Sequence, residues 1–270
     1  MQNNNRSNRF KLIVFDLDGT LVDDNLEMTA EDLEAIEEAR RRGIAVTLAT
    51  GRTFLSALPF IQKLGIELPV ILCNGAAIVD PKNEKILFQQ RLPRQAAVLM
   101  LEKARDADLD CLLYTDPLSD CPSVSYLTPL LADFILLEGL HLVELNALVE
   151  IIRGNPPIKV QIVGYEEKRL LAFQRFAAER IPKISVIKTQ NDYLEALPAG
   201  VSKGDALLRL SKLLRIPLSQ IAAFGDSVND RELLALAGIG IAMADAPEEL
   251  KAAADRTAVN VAAGLKELLD

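Results

Sequence analysis

Leu12-Ile13-Val14-Phe15-Asp16-Leu17-Asp18-Gly19-Thr20 is an apolar run that ends in two aspartates and a glycine. Four such residues in a row read as a short strand buried on both faces. Two carboxylates one residue apart at its end are hard to explain as packing. Alternation turns one of them toward the core, where an unpaired carboxylate is expensive. A strand end followed by a glycine turn instead lets both face one crevice. There a divalent cation offsets their repulsion and leaves one of them as a nucleophile. Taken alone, the stretch reads more readily as a surface Asp-Gly turn, so the rest of the chain has to decide.

Outward from this stretch the sequence alternates strand and helix signals. Thr29-Ala30-Glu31-Asp32 is a capping-box-like helix start, and the helix runs through Arg42 to a stop at Gly43. Arg40, Arg41 and Arg42 fall in its last turn, where the helix dipole favours cations. Ile44–Ala49 reads as a strand leading into Thr50-Gly51-Arg52, then a helix spans Phe54 to Leu64 and stops at Gly65. Val70–Cys73 reads as a third strand, ending at Asn74-Gly75. This is the grammar of a parallel sheet with right-handed crossovers.

The grammar returns late in the chain. Ser202-Lys203-Gly204-Asp205 opens a helix through Leu214, and Ile221–Phe224 is a strand leading to Gly225-Asp226. A helix over Asp230–Ala237, a strand over Ile239–Ala242, a helix over Pro247–Ala254 and a strand over Thr257–Val259 follow. Between Pro81 and Gln190 the rhythm differs. Strands at Ile86–Gln90, Leu112–Thr115, Ile158–Val163 and Ser185–Lys188 accompany helices at Arg94–Asp106 and Glu166–Arg180. The expected fold class is α/β: a Rossmann-like parallel-sheet core of residues 1–84 and 191–270, with residues 85–190 inserted as an α+β domain.

The chain has 270 residues, half of them hydrophobic and a quarter charged, an ordinary balance for a soluble globular protein. A formal net charge of -8 argues against nonspecific binding to nucleic acid or to anionic membranes. It does not exclude an anionic substrate, because a local metal ion and a few cations outweigh the global sign. Cys73, Cys111 and Cys121 are widely spaced and accompany a single histidine, which suggests neither a zinc site nor a disulfide framework. Met1 to Arg9 is polar and Asn-rich, expected as a frayed tail without signal-peptide character. No stretch approaches transmembrane length, and a cytoplasmic protein is the expectation. The sequence leaves oligomeric state open.

The unusual polar residues all fall after strands. Asp16 and Asp18 follow the first, Thr50 the second, Asn74 the third, and Asp226, Asn229 and Asp230 a strand near the end. In an open α/β sheet the carboxyl ends of the strands form the ligand crevice. Four acids on one rim repel unless a metal sits among them, and oxygen ligands without His or Cys suit a hard cation, most simply Mg2+. Lys203 begins a helix, and a lysine at a helix N-terminus is an anion site suited to a phosphoryl group. Each residue also has an ordinary reading. Lys203 suits a surface, Thr50 a helix cap, and Asp226 and Asp230 a turn and an N-cap. Their joint placement is what tells against those readings.

Asp16-Leu17-Asp18-Gly19-Thr20, Thr50-Gly51-Arg52, Ser202-Lys203-Gly204 and Gly225-Asp226-Ser227-Val228-Asn229-Asp230 resemble, in order and spacing, the four motifs of the haloacid dehalogenase (HAD) superfamily of phosphatases. The resemblance runs over nearly the whole chain, and the insertion between the second and third motifs is similar to that of the branch with a C2-type cap. Cys73-Asn74-Gly75-Ala76 and Ile241-Ala242-Met243 resemble the Cof-like (IIB) sugar-phosphate phosphatases. The resemblance implies that Asp16 attacks phosphorus to form an aspartyl-phosphate and that Asp18 is the acid and base. It further implies Thr50, Gly51, Arg52, Asn74, Lys203 and Asn229 as binders of substrate or phosphate. Mg2+ is then held by Asp16, the Asp18 carbonyl and Asp226, with Asn229 and Asp230 in support.

Two departures stand out: Ala244-Asp245-Ala246 where Gly-Asn-Ala is common, and Arg231 where an apolar residue is common. The inserted block is expected to be a lid with specificity residues on its inner face. Candidates are Tyr114, Asp116, Tyr126, His141 and Lys159, of which the tyrosines also read as packing residues and His141 as a structural or surface residue. The functional expectation is a Mg2+-dependent phosphatase of a small phosphorylated metabolite. A sugar-phosphate phosphotransferase or mutase, or a binding protein that keeps the fold without catalysis, are the alternatives.

Overall fold

The structure is a computed structural model that describes residues 9–120, 122–124, 143–144, 148–188 and 193–270. Tyr126, His141, Cys121 and the first eight residues lie outside the described residues. The strands, in chain order, are β1 (Leu12–Phe15), β2 (Ala45–Leu48), β3 (Val70–Leu72), β4 (Ala77–Asp80) and β5 (Lys85–Gln89). Then come β6 (Asp110–Tyr114), β7 (Ser123–Val124), β8 (Val143–Glu144), β9 (Lys159–Val163), β10 (Ile184–Lys188) and β11 (Tyr193–Pro198). The last are β12 (Ile221–Gly225), β13 (Ile239–Met243) and β14 (Arg256–Ala258).

β1 lies between β12 and β2 inside a five-stranded sheet of order β14-β13-β12-β1-β2 whose pairings are all parallel. Its four residues are fully buried, as an apolar run covered on both faces must be. One face packs Leu12 and Val14 with Ala206, Leu207 and Leu210 of the helix Lys203–Leu214. The other packs Ile13 and Phe15 with Ile36 and Ala39 of the helix Ala30–Arg41. Phe15 also meets Phe224 of β12, with ring centroids 5.0 Å apart. Because the strands are parallel, all five carboxyl ends open on one rim, and that rim is where the site forms.

The third strand departs from the expectation of a continuous parallel sheet. β3 joins the central sheet only through the single bridge Ala49–Ile71 and instead begins an antiparallel sheet, β3-β4-β5. The pairing also moves two strands across the expected boundaries. Lys85–Gln89 pairs with β4 and not with the inserted block, because Leu87 and Phe88 pack against the cluster that covers the central sheet. Tyr193–Pro198 pairs with β9 and β10 in the six-stranded sheet β10-β11-β9-β6-β7-β8. The expected helix Asp230–Ala237 divides into a 3-10 turn, Val228–Asp230, and a helix, Arg231–Leu236. The Asp230 carboxylate turns back to cap that turn through the Ser227 amide, 3.1 Å away.

The six-stranded sheet has two unlike faces. Leu113, Val160, Ile162, Leu194 and Ala196 pack on Met100, Ile152, Leu170 and Phe173 of the helices Arg94–Asp106, Leu148–Gly154 and Glu167–Arg180. Alternation puts Leu112, Tyr114, Lys159, Gln161, Val163, Tyr193, Glu195 and Leu197 on the opposite face. The apolar members of that set belong to the cluster that includes Phe15, Leu17 and Phe54. This face of the inserted block is therefore turned to the parallel-sheet core.

Among the described residues, no helix is long and apolar enough to cross a membrane. The first helix is tied to the last by Asp32. Its Oδ1 accepts from the Ala262 amide at 2.7 Å and its Oδ2 from the Thr29 hydroxyl at 2.7 Å. Asp32→Ala leaves the buried Ala262 amide without its acceptor and is expected to lower unfolding stability by about 1–3 kcal/mol, read from urea denaturation. A loss under about 0.5 kcal/mol would show that the two helices dock without this carboxylate.

Candidate active site

Lys203 is the first residue of the helix Lys203–Leu214, whose N-cap Ser202 accepts from the Asp205 amide at 3.0 Å. Its side chain runs inward to Asp16 Oδ1 at 2.7 Å and Asp230 Oδ1 at 2.6 Å. All three residues are buried, Lys203 at 1% exposure, which removes the ordinary surface reading of the lysine. Asp226 completes the cluster. The ligand oxygens of Asp16, Asp226 and Asp230 lie within 4.8 Å of one another. Thr20 donates to Asp226 Oδ1 at 3.1 Å and Ser227 to Oδ2 at 3.0 Å, which fix its carboxylate.

Gly19 is what allows this approach. Its φ is +79°, and a Cβ there would lie 2.3 Å from Asp226 Oδ2. Gly75 does the same for the loop after β3, since a Cβ would lie 2.1 Å from the Ser202 carbonyl at the start of the Lys203 helix. Both glycines occupy the left-handed region that side chains disfavour.

Three carboxylates against one ammonium leave the cluster two positive charges short of neutrality when all are ionised. Burial, and then the charge of Asp230, push the Asp16 carboxyl well above the usual 3.8; Lys203 opposes this and Asp226 adds to it. Burial and Asp230 likewise raise Asp226. Burial alone would discharge Lys203, but Asp16 and Asp230 outweigh it and hold the ammonium above the ordinary lysine range. A divalent cation would supply the missing charge, and a set of carboxylate oxygens without His or Cys fits a hard ion such as Mg2+.

Asp18 is placed otherwise. Its side chain leaves the cluster and pairs with Arg52, whose Nη2 donates to Oδ1 at 2.6 Å and whose Nε donates to Oδ2 at 3.0 Å. The Arg52 guanidinium also lies over the Phe60 ring, 5.3 Å from its centroid. Thr50 is fully buried and is not the cap of the following helix, which is Thr53. The Thr50 Oγ1 accepts from the Arg52 amide at 3.1 Å, and its carbonyl accepts from the Asn74 amide at 3.0 Å. The loops after β2 and β3 are thereby joined.

Asn74 sits in the left-handed region at φ +53°. Its side chain is committed within the protein: Nδ2 donates to Glu195 Oε2, and Oδ1 accepts from Asn229 Nδ2 at 3.0 Å. Glu195 pairs in turn with Lys159 at 2.8 Å, and Lys159 donates to the Gly51 carbonyl at 3.0 Å. The Lys159 ammonium also lies 4.6 Å from the centroid of the Tyr114 ring, whose hydroxyl donates to Gln161 at 3.0 Å. Burial would lower the Lys159 pKa, but Glu195 outweighs it and the net shift is upward. Two of the lid candidates, Tyr114 and Lys159, thus reach the core, whereas Asp116 closes its own loop by accepting from the Leu118 amide at 2.9 Å. Sequence reasoning missed Glu195, although an acid inside the otherwise apolar run Tyr193–Pro198 is a signal of a buried partner.

Known proteins resemble this chain over nearly its whole length. The model of the haloacid dehalogenase-like hydrolase family matches residues 13–265. Phosphatase YwpJ of Bacillus subtilis (strain 168) is 29% identical over 273 residues, covering 91% of this chain and 93% of the relative. The HMP-PP phosphatase of Cronobacter sakazakii is 31% identical over 250 residues, covering 90% of this chain and 87% of the relative. A haloacid dehalogenase-like hydrolase from Bacteroides thetaiotaomicron of known structure superposes with a TM-score of 0.82 at 26% identity, over 96% of this chain and 99% of that one. With the motif residues gathered on one rim and the match running from β1 to the last helix, the chain belongs to the haloacid dehalogenase-like hydrolases, in the Cof-like subfamily IIB.

Proposed function

We propose that this protein is a Mg2+-dependent phosphatase that hydrolyses a small phosphorylated metabolite through an aspartyl-phosphate on Asp16. The observation that carries this reading is the buried Lys203 ammonium shared by Asp16 and Asp230 beside Asp226. A structural ion pair needs one partner; three carboxylates around one lysine build an excess of negative charge that a bound cation would relieve while leaving Asp16 ionised. Asp16, Asp226 and the Asp18 carbonyl are the proposed ligands, with Asp230 and Asn229 in support. Bound there, Mg2+ supplies the positive charge that keeps Asp16 ionised and draws phosphoryl oxygens to the rim.

The chain's own residues then divide the work. An Asp16 oxygen forms a bond to phosphorus as the bond to the substrate oxygen breaks, and Asp18 gives that leaving oxygen its proton. Water next attacks the phosphorus of the aspartyl-phosphate; Asp18 takes the water's proton, and the bond between phosphorus and Asp16 breaks. Lys203 and the Thr50 hydroxyl stabilise the charge on the transferring group. To carry a proton, Asp18 must leave its pair with Arg52, which frees the guanidinium for the substrate's phosphoryl oxygens. The face of the inserted block that carries Tyr114, Gln161 and Glu195 is the proposed lid over this chemistry, and its proposed extent runs from the helix Arg94–Asp106 through the strand Tyr193–Pro198.

The named phosphatase relatives support the reaction class, and the relative named for HMP-PP supports a small phosphorylated substrate. Asp16→Asn is expected to lower kcat with para-nitrophenyl phosphate by about 10³ or more, measured on purified protein without any sugar acceptor. Activity surviving that change would remove Asp16 as the nucleophile. Chelation should abolish phosphate release and Mg2+ should restore it; turnover unaffected by chelator contradicts the metal site.

The raised Asp16 pKa also fixes a sign. Above the usual 3.8 and below its raised value, the folded metal-free protein keeps a proton that the unfolded chain has released, so stability falls as pH rises through that window. Asp16→Asn should flatten this part of the Tm-against-pH curve, and the stabilisation given by Mg2+ should grow with pH. A wild-type curve that instead rises relative to the variant would show that Asp16 is not held in its acid form.

A further inference from the structure

Lys159 and Glu195 form an ion pair with side chains only 6% and 5% exposed, lying on the face of the inserted sheet that meets the core. Nothing in the proposed chemistry uses them. Lys159 is occupied on three sides, by Glu195, by the Gly51 carbonyl and by the Tyr114 ring. It is therefore an anchor and not a free hand for substrate. Glu195 spends one oxygen on that anchor and the other on Asn74. From Asn74 the chain of bonds continues to Asn229, on the same short turn as Asp230.

The direction of these bonds is forced. A carboxylate only accepts, so Asn74 must turn its NH2 toward Glu195. Its carbonyl oxygen is then the only group it can offer Asn229, and Asn229 must donate. That leaves Asn229 Oδ1 unused by the relay, and it is a buried oxygen without a hydrogen-bond partner among the described residues. An acceptor at this place suits a hydrated cation, whose ligand waters donate; an NH2 turned the same way would repel it.

We propose that Glu195, anchored by Lys159, is a positioning residue whose acceptor-only carboxylate sets the polarity of the Asn74–Asn229 relay and so presents Asn229 Oδ1 as an acceptor beside Asp230. The inference rests on the phosphatase reading for its kinetic consequence, but the relay itself is read from the structure alone. It ties three loops, those after β2, β3 and β12, to strands β9 and β11 of the inserted sheet.

Glu195→Gln tests it, because the amide keeps the shape and adds a donor where only an acceptor fits. In 15N-labelled protein the side-chain NH2 resonances of both Asn74 and Asn229 should shift, although the relay joins Glu195 to Asn229 through Asn74. Calorimetric titration with MgCl2 should show binding weakened by about fivefold or more. With para-nitrophenyl phosphate kcat should fall by about tenfold while KM stays within about threefold, the mark of lost positioning and not of lost binding. The double variant Lys159→Met/Glu195→Gln removes the pair without leaving a buried ammonium unpaired, and should give the same Mg2+ weakening if the single variant does not fold. Unmoved Asn229 resonances, or wild-type Mg2+ affinity in a folded variant, overturn the proposal. Wild-type protein that releases no phosphate from any phosphomonoester would instead overturn the phosphatase reading, and the resonances and the Mg2+ titration would still decide the relay.

Discussion

Everything at the rim depends on one buried ammonium. Lys203 is surrounded by the carboxylates of Asp16 and Asp230, with Asp226 adjacent. A charge at this depth is tolerated only with partners at hydrogen-bond distance, and removing one partner leaves the others uncompensated. The partners come from three distant parts of the chain, so the parallel sheet must bring its strand ends together within a few ångströms. Gly19 and Gly75 have no side chain for this reason: a Cβ at either would collide with the groups that make the site. The fold here holds an electrostatic arrangement that is unfavourable by itself and that a bound cation would relieve.

The inserted sheet is joined to this arrangement by buried polar bonds as well as by apolar contact. One of its faces is a conventional apolar layer under three helices. The other mixes Leu112, Val163 and Leu197 with Tyr114, Lys159, Gln161 and Glu195, and its polar members are all buried. Polar groups so placed must be satisfied, and a satisfied network fixes one geometry where apolar contact alone would permit sliding. The pairing of Asp18 with Arg52 belongs to the same economy of charge. Arg52 holds Asp18 as Lys203 holds Asp16 and Asp230, and in the proposed chemistry Asp18 exchanges that partner.

Much of this was legible in the chain. The helix Lys203–Leu214 begins at the Ser-Lys-Gly-Asp that caps it, and the helix Ala30–Arg41 begins at its Thr-x-x-Asp box, because caps are local chemistry. Short-range signals did not reveal strand partners. β3 looked like a third parallel strand because its run of apolar residues fits either pairing; only the hairpin to β4 shows which it takes. Lys85–Gln89 and Tyr193–Pro198 crossed the expected boundaries for the same reason, since a strand's sequence does not name its neighbour. Glu195 escaped notice because a lone acid in a strand carries no motif, and its meaning lies in Lys159, 36 positions away.

The sequence by itself determined the candidate site: two aspartates after a buried strand, a threonine, a lysine at a helix start and an acid pair after a late strand are residue types whose chemistry is read one at a time. The tertiary structure decided who is paired with whom. It turned Asp18 to Arg52, closed Asp16 and Asp230 on Lys203, and ran a hydrogen-bond chain from Lys159 to Asn229. The physical reason is distance. Reactivity is a property of a side chain, but charge compensation and hydrogen-bond direction are properties of neighbours, and neighbours 27 and 187 positions apart exist only once the chain has folded.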